Sequence, residues 1–429
     1  VKVLVVSQYF WPEDFRVNDL VAGFVERGHE VTVLTGLPNY PGGRFFPGYG
    51  LKGPWREHYA GATVLRVPLL ARGGAGGIRL LLNYLSFVVF GIWGAVFRLR
   101  GPFDFIFVSE VSPITVGIPA AFARWRFRAP ILFWVLDLWP ETLSALGVVR
   151  SPRILNAVSA LVRWIYARCS RVLVQSRAFV PEVLRHGVAK ERVLYFPNWV
   201  ESVYTSAEAV ASAVTPAVAG GLTVMFAGNI GEAQDFPAII DAAELLKNTE
   251  VCWLIVGDGR IAERARQDVV SRGLQHRVRF LGRHPADRMP ALFAGADALL
   301  VSLRRERIFA LTIPGKVQSY LASGRPVLAM LDGEGAKVVE EARAGFVCAA
   351  GDAKALAANV LKLAALSPED REKLGANGRR YAKEHFERQH LFDQLQGWAE
   401  AAVREERESA AAAGSARGRR KPQDNSRDS

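Results

Sequence analysis

The sequence predicts an α/β chain made of two Rossmann-like halves. Three observations lead there. Apolar strand-like runs alternate with helical periods from Lys2 onward. The alternation stops in Glu201–Gly221, a stretch rich in Ala, Ser, Val and Pro with no clear strand, and restarts at Leu222–Ala227. Glycine turns follow the strands of the second half, at Gly228, Gly257 and Gly315. The expected domains are residues 1–200, a linker at 201–221, a second domain at 222–385, a helix at 386–408 that packs back on the first domain, and a disordered Ala/Gly/Ser/Arg tail at 409–429.

The totals bound the function. The chain has 429 residues, is 50% hydrophobic and carries a formal net charge of +12. This suits a globular protein with an anionic partner, and the basic residues are too scattered for a nucleic-acid surface. Cys169, Cys252 and Cys348 are far apart, so no disulfide framework is expected. The histidines lack metal-ligand spacing and no DxD pair occurs, so neither a metal nor another cofactor is expected. The chain opens on a buried-strand pattern with no leader-like segment before it.

In the first half, Lys2–Val6 reads as a strand, Phe15–Arg27 as an amphipathic helix closed by Gly28, and Glu30–Thr35 as a second strand. The loop Gln8–Asp14 between them is too aromatic to cradle phosphate. It reads either as an acceptor or sugar contact or as a packed surface loop. A long Pro/Gly-rich loop runs from Leu37 to about His58, and Thr63–Val67 is the third strand. Leu80–Phe97 is uncharged and apolar all round, and as a helix reaches roughly 27 Å, marginal for a bilayer. Thr63–Val67 and Phe103–Val108 on either side belong to one sheet in this reading, which rules out a single crossing. A buried helix and a monotopic anchor both remain open. Arg72, Arg79, Arg98 and Arg100, with the alternating cations and aromatics of Arg124–Arg128, suit an anionic headgroup layer. Ile131–Leu136 is a buried strand, and Asp137 and Glu141 follow at its carboxyl end. They serve either chemistry, by orienting or deprotonating an acceptor hydroxyl, or the capping of a following helix. Arg171–Gln175 is a further strand and Phe179–Arg185 a helix.

In the second half a strand, a glycine turn and a helix start recur at Gly228–Gly231 and at Gly257–Arg260. That geometry lets backbone N–H groups reach phosphate or ribose oxygens. Thr312–Met330 is the most informative stretch. Pro314 fits a first-turn position, Gly315 admits a close ligand, and Lys316 stands where the free N–H groups of a helix already favour an anion. Val317, Tyr320 and Leu321 share one face, and Gly324 ends the helix. Lys316 is either a phosphate ligand or a solvated lysine on an ordinary connection. Arg304, Arg305 and Arg307 either assist it or form a basic surface loop. Helices are also expected at Pro368–His385 and His390–Arg407.

Six segments together give a resemblance: QYFWPEDFRVND (Gln8–Asp19), RGHEVTVLTGLPNYP (Arg27–Pro41), DLWPE (Asp137–Glu141), FAGNIGEAQ (Phe226–Gln234), VGDG (Val256–Gly259) and IPGKVQSYLASGRP (Ile313–Pro326). The chain resembles the family 4-type retaining glycosyltransferases of GT-B fold, and within them the bacterial subgroup that builds surface polysaccharides such as O-antigen and capsule. That resemblance implies two Rossmann-like domains facing across a cleft. It implies a nucleotide-sugar donor on the second domain, with a UDP-linked N-acetylated hexosamine or deoxy-hexosamine favoured, and transfer with retention. The acceptor, a polyprenyl-diphosphate-linked saccharide, is implied on the first domain, and the protein is expected at the cytoplasmic membrane's inner leaflet through Leu80–Phe97. By position, Gly228 and Asn229 are implied near the donor phosphates, and Asp258, Leu281 and Gly282 near the nucleoside, with Gly257, Pro314, Gly315 and Ser319 also on the donor side.

The departures from the family pattern are specific. The basic pair of the glycine-turn stretch falls on Asn229 and Gln234, the pair of glutamates on Leu311 and Ser319, and the first-domain glycine pair on Phe15 and Arg16. Lys316, helped by Arg16, is the expected replacement. With no metal expected, cations and helix N-termini must stabilise the departing nucleotide. A GT-B nucleotide-sugar epimerase and a non-catalytic membrane-associated scaffold are the alternatives.

Overall fold

The protein is described by a computed structural model over residues 1–73, 77–145, 149–204 and 221–418. It divides into two compact units. The first holds Val1–Val174, Val180–Phe196 and the chain from Phe392 onward; the second holds Gln175–Phe179 and Pro197–Leu391. Most of the expected linker, residues 205–220, lies outside the described residues.

In the first unit the elements run β1 (Lys2–Val6), α1 (Arg16–Glu26), β2 (Glu30–Gly36), β3 (Arg56–Tyr59), β4 (Ala62–Val67), α2 (Gly77–Trp93), β5 (Phe105–Glu110), α3 (Gly117–Phe127), β6 (Ile131–Val135), α4 (Glu141–Ala145), α5 (Pro152–Tyr166), β7 (Arg171–Val174), α6 (Phe179–Arg185) and β8 (Val193–Tyr195). The sheet order is β3-β4-β2-β1-β5-β6-β7-β8, parallel except for the β3–β4 hairpin. Strands covered on both faces need continuous apolar runs, and every residue of β5 and β6 is buried. Strand order reverses between β2-β1 and β5, so the loops after β1 and β5 flank the switch point where open α/β sheets bind ligands.

The second unit runs β9 (Thr223–Ala227), α7 (Phe236–Leu245), β10 (Cys252–Val256), α8 (Ala262–Ser271), β11 (Val278–Gly282), α9 (Met289–Ala294), β12 (Ala298–Ser302), α10 (Arg307–Ala310), α11 (Gly315–Ser323), β13 (Val327–Met330), α12 (Glu334–Ala342), β14 (Gly345–Cys348), α13 (Ala353–Ala365) and α14 (Pro368–His385). Its parallel sheet has the order β11-β10-β9-β12-β13-β14, with the switch point between β9 and β12. Two buried clusters cover its faces: Phe226, Phe236, Trp253 and Leu300 on one side, Met225, Leu254, Phe293 and Tyr320 on the other.

Helix α15 (Arg388–Gly418) crosses the unit boundary at Phe392. From there it belongs to the first unit, where Phe392 meets Phe24 edge-on, Arg27 pairs with Asp393 at 2.7 Å and Arg124 with Glu406 at 2.8 Å. The disorder expected from residue 409 is corrected as far as Gly418, because an Ala-rich run continues a helix already nucleated by that packing. Residues 419–429 lie outside the described residues.

Helix α2 is divided lengthwise. Asn83, Phe87 and Gly91, four apart, are buried. Gly91 brings α2 close to α3: a Cβ there would stand 2.7 Å from the Pro119 ring. Asn83 Oδ1 accepts the Gln8 side-chain amide at 2.8 Å, and its Nδ2 donates to Leu70 O at 2.5 Å. The opposite stripe, Ile78, Leu81, Leu82, Leu85, Val89 and Trp93, is exposed. By length and composition the segment Gly77–Arg98 suffices to cross a membrane, yet β4 before it and β5 after it lie in one sheet.

Three expectations need correction here. The long loop to His58 ends in an edge strand, β3, whose charged sequence REHY hides it. Helices α3 and α5 had not been expected. The cations of the stretch Arg124–Arg128, which closes α3, are not all free for a headgroup layer. Arg124 pairs with Glu406 and Arg126 donates to the carbonyls of Ala95 and Val96, which leaves Trp125, 73% exposed, and Arg128 facing outward.

Candidate functional site

The second unit's switch point is knitted from three turns. Gly228 N–H donates to Val256 O at 2.8 Å, Ile230 N–H to Asp258 O at 2.9 Å, and Gly257 N–H to Gly282 O at 2.7 Å. Gly228 and Gly257 have φ of 132° and 134°, a region that excludes most side chains. A Cβ on Gly257 would fall 1.9 Å from Gly228 O, and one on Gly259 2.3 Å from Ile230 O. Glycine is therefore required for the turns to interlock.

The interlocking changes what the turns can offer a ligand. The expectation was a cradle of free amides. The amides of Gly228, Ile230 and Gly257 are already used between turns, Gly231 N–H donates to Gln234 Oε1 at 3.1 Å, and Gly259 N–H to Asp258 Oδ1 at 2.8 Å. Of the amides from Gly228 to Gly231, only that of Asn229 is left without a partner among the described residues.

Helix α11 supplies the rest. It begins after Pro314 with no side-chain cap; Val317 N–H donates to Pro314 O at 2.9 Å, so the amides of Gly315 and Lys316 are the ones left open at the same corner. Tyr320 anchors it: its hydroxyl accepts Ala227 N–H at 2.9 Å and donates to Ala227 O at 3.1 Å. One helical turn earlier, on the same face, Lys316 reaches the next residue of that strand end. A Cβ on Gly228 would meet Lys316 Cε at 2.6 Å and Nζ at 2.9 Å. The ammonium lies 3.7 Å from the centre of the Phe226 ring.

The lysine is not the solvated one that stayed open from sequence. The residue as a whole is half-buried, but Nζ itself is sealed from solvent and has no hydrogen-bond partner. Burial lowers its pKa from 10.5 to about 7. An unpartnered amine next to an exposed glycine, at a helix N-terminus, is a group prepared to take up negative charge.

The remaining donor-side residues separate. Asn229 and Asp258 are exposed at the turn tips, and Leu281 and Gly282 are half-buried at the end of β11. Gln234 spends its side-chain oxygen on Gly231 and its carbonyl on Ser302 Oγ at 2.7 Å, so it stabilises the turn. Ser319 is buried and its hydroxyl turns back to Gly315 O at 3.4 Å, inside its own helix. Gly315 is exposed with open space around its Cα. Arg304 and Arg305 are exposed and paired with Glu306 and Asp332, each at 3.7 Å. Their loop is tied to the glycine turn by Arg304 N–H donating to Ala233 O at 2.8 Å. Arg16 opens α1 in the first unit.

In the first unit, Asp137 stands at the carboxyl end of β6. Its Oδ1 accepts the Thr142 hydroxyl at 2.5 Å, and its N–H donates to Glu110 Oε2 at 3.3 Å. Burial raises its pKa, opposed by hydrogen bonds from Thr142, Leu138, Ser112 and Trp139. It lies four residues ahead of α4 and is not that helix's N-cap. Glu141 opens α4, with Oε1 3.9 Å from His186 Nε2 and Oε2 unpartnered. The aromatic loop after β1 is closely packed. Glu13 is buried and accepts the amides of Phe10, Asn39 and Tyr40 at 3.1, 2.7 and 2.7 Å. Tyr9 and Phe15 stack at 5.2 Å, and Arg72 lies over the Tyr40 ring at 5.1 Å.

Glu110 went unnoticed in the sequence. Its one signal was a carboxylate ending the otherwise apolar run FIFVSE. Phe226 beneath Lys316 gave no signal, since it reads as an ordinary core residue.

Comparison with known proteins places this geometry in a family. Residues 15–199 match the model described as "Glycosyl transferase 4-like domain", and residues 221–365 the one described as "Glycosyl transferases group 1". The chain is 27% identical over 338 residues to the putative colanic acid biosynthesis glycosyl transferase WcaI of Escherichia coli K12, covering 76% of this chain and 82% of that protein. It is 27% identical over 259 residues to the probable glycosyltransferase WbjE of Pseudomonas aeruginosa, covering 59% and 64%. Among solved structures, Anabaena HepE in complex with UDP superposes with a TM-score of 0.66 at 18% identity, covering 94% of this chain and 100% of that one.

Proposed function

We infer what this chain does from the family to which it belongs: it is a family 4-type glycosyltransferase of GT-B architecture. Our reading is that it transfers a sugar, with retention, from a nucleotide-sugar donor to a polyprenyl-diphosphate-linked saccharide in surface-polysaccharide synthesis. A UDP-linked N-acetylated hexosamine or deoxy-hexosamine is the donor we favour. WcaI and WbjE, named for such synthesis or transfer, support the pathway class, and the UDP held by HepE supports the donor class.

One observation carries the reading: the sealed, unpartnered Lys316 amine under Gly228 at the switch point. In the transfer, the bond between the sugar's anomeric carbon and the diphosphate oxygen breaks. The acceptor oxygen bonds to that carbon on the same face. Negative charge grows on the diphosphate, and we assign its stabilisation to Lys316, the open amides of α11 and the Asn229 N–H. Asp137 orients the acceptor hydroxyl and takes its proton. Transfer is read as metal-independent.

The test is direct. Purified protein is incubated with a panel of nucleotide sugars and a lipid-linked acceptor. Sugar transfer with the donor's anomeric configuration is expected. Interconversion of free nucleotide sugars without transfer, or no reaction with any donor, would overturn the reading.

We further assign the protein to the inner face of the cytoplasmic membrane, through the outer stripe of α2 and the arginines that flank it. Arg98 lies 5.6 Å over the Trp93 ring, and Phe97 and Trp125 are each 73% exposed beyond it, an arrangement suited to a headgroup boundary. Exchanging Leu81, Leu85 and Val89 together for Ser is expected to weaken binding to anionic vesicles by about a thousandfold or more, since each apolar side chain is worth about 1.5 kcal/mol or more when buried. Cosedimentation with phosphatidylglycerol vesicles measures it, and unchanged binding rejects the assignment.

A further inference from the structure

Glu110 closes β5 with no exposure at all. Its Oε2 takes the Asp137 N–H at 3.3 Å, while Oε1 is sealed and has no hydrogen-bond partner. Among the described residues the one charged group acting on it is Asp137, a carboxylate. The groups around it come from four elements. Asp137 follows β6, Glu141 opens α4, Tyr166 ends α5, and Cys169 follows it. Glu110, Cys169, Glu141 and Asp137 all act on Tyr166. His186, after α6, stacks edge-on to Tyr166 at 6.1 Å and approaches Glu141 at 3.9 Å. Among the described residues no cation acts on Glu110 itself; Arg192 and Arg124 act on Cys169 and Arg163 and Arg185 on His186, while burial keeps the Tyr166 hydroxyl protonated, raises the Cys169 thiol to about 12, and lowers the His186 pKa.

A carboxylate sealed from water, without a cation and next to a second carboxylate, has only the Asp137 and Leu136 amides to offset its charge. Asp137 has what Glu110 lacks. It is half-buried and receives Thr142, Ser112 and the Leu138 amide. Ser112 is also bonded to Tyr84 of α2, and Tyr84 to Tyr9. The polar network of this corner thus favours the charge on Asp137.

We propose that Glu110 is a positioning residue that works as a neutral carboxylic acid. It holds the Asp137 backbone through Oε2, and its neutrality leaves Asp137 as the carboxylate that meets the acceptor. Glu110 reaches no substrate itself. Ionising it sets a second negative charge against Asp137 and displaces it. The positioning role rests on the acceptor-side reading of Asp137, whereas the protonation state does not.

Glu110→Gln keeps the shape and removes the proton equilibrium. Three readouts separate the claims. An infrared difference spectrum at neutral pH, wild type minus Glu110→Gln, is expected to show the carbonyl band of a protonated carboxyl group, and titrating the wild type alone must move that band at alkaline pH. The second readout is stability. A carboxyl group raised above its ordinary 4.5 gives stability that is full below that pH and lost as pH rises through the folded value. Glu110→Gln should therefore melt higher than wild type above pH 5, by a margin that grows with pH and vanishes near pH 4. The third is turnover: the wild type's alkaline loss should be absent from Glu110→Gln, with KM for the donor unchanged.

Absence of the band, or a wild type as stable as the variant across the range, overturns the neutral acid. A band together with identical alkaline profiles overturns the positioning role. If no sugar is transferred by either protein, the proposed transfer reaction fails, while the band and the melts still decide the state of Glu110.

Discussion

Lys316→Met is expected to lower sugar transfer by about two to three orders of magnitude, the usual effect of removing one group that stabilises charge in a transition state. The same change is expected to leave the fold more stable at neutral pH. Both follow from one placement. The amine is sealed from solvent and has no hydrogen-bond partner, so burial in the folded protein disfavours its charge. Methionine has nearly the same length and makes good contacts with aromatic rings. The sign runs through the depressed pKa. Between about 7, the folded value, and 10.5, the ordinary one, the unfolded chain binds the proton more tightly. Wild-type stability therefore rises with pH across that window, by up to about 1.4 kcal/mol per unit, and falls away as pH drops toward 7. Melts of the two proteins should differ by a few kcal/mol at pH 7 and converge near pH 10.5. A simple loss of packing predicts the opposite: less turnover and less stability together.

The second large effect concerns Gly257. Alanine there is expected to destabilise the second unit by about 3 kcal/mol or more and to abolish donor binding. The residue has φ of 134°, and the added methyl would stand 1.9 Å from Gly228 O and 2.9 Å from Gly228 C. Backbone lies on both sides of the clash, so relief means breaking the bonds that lock the turns, Gly228 N–H to Val256 O and Gly257 N–H to Gly282 O. Gly315→Ala is the control. It has open space and no positive φ, and is expected to change stability by less than about 0.5 kcal/mol. Urea denaturation of the two variants, with nucleotide binding measured alongside, separates an interlocked turn from a glycine in open space. Equal stability of both would contradict the interlock.

Much of the fold was legible because buried parallel strands write themselves as short apolar runs ending in glycine. Thr223–Ala227 and Cys252–Val256 show this. Helix α11 was legible for a different reason: Pro314, the face of Val317, Tyr320 and Leu321, and Gly324 mark its start, its side and its end. Strand β3 was not, since a four-residue edge strand needs no apolar pattern and is held by its antiparallel neighbour. The tail beyond residue 409 misled because composition alone does not record that a helix has been nucleated upstream.

The site was legible in identity but not in state. Helical position places Lys316 in a first turn. Its burial comes from Phe226 and Gly228, about ninety positions away in the chain, and no local period reports that. Glycine turns suggested open amides, and only the pairing of one turn with another shows that most are already spent. Glu110 was hidden because a carboxylate at a strand end reads as surface until the neighbouring loops cover it.

The most direct measurement is calorimetry of UDP binding at pH 8, repeated in buffers of different protonation enthalpy. A Lys316 amine that is largely neutral in the free protein and charged beside a diphosphate predicts uptake of up to about one proton per UDP bound by the wild type and none by Lys316→Met. Uptake that is absent from both proteins, or equal in both, would contradict Lys316 as the group that receives the donor's charge.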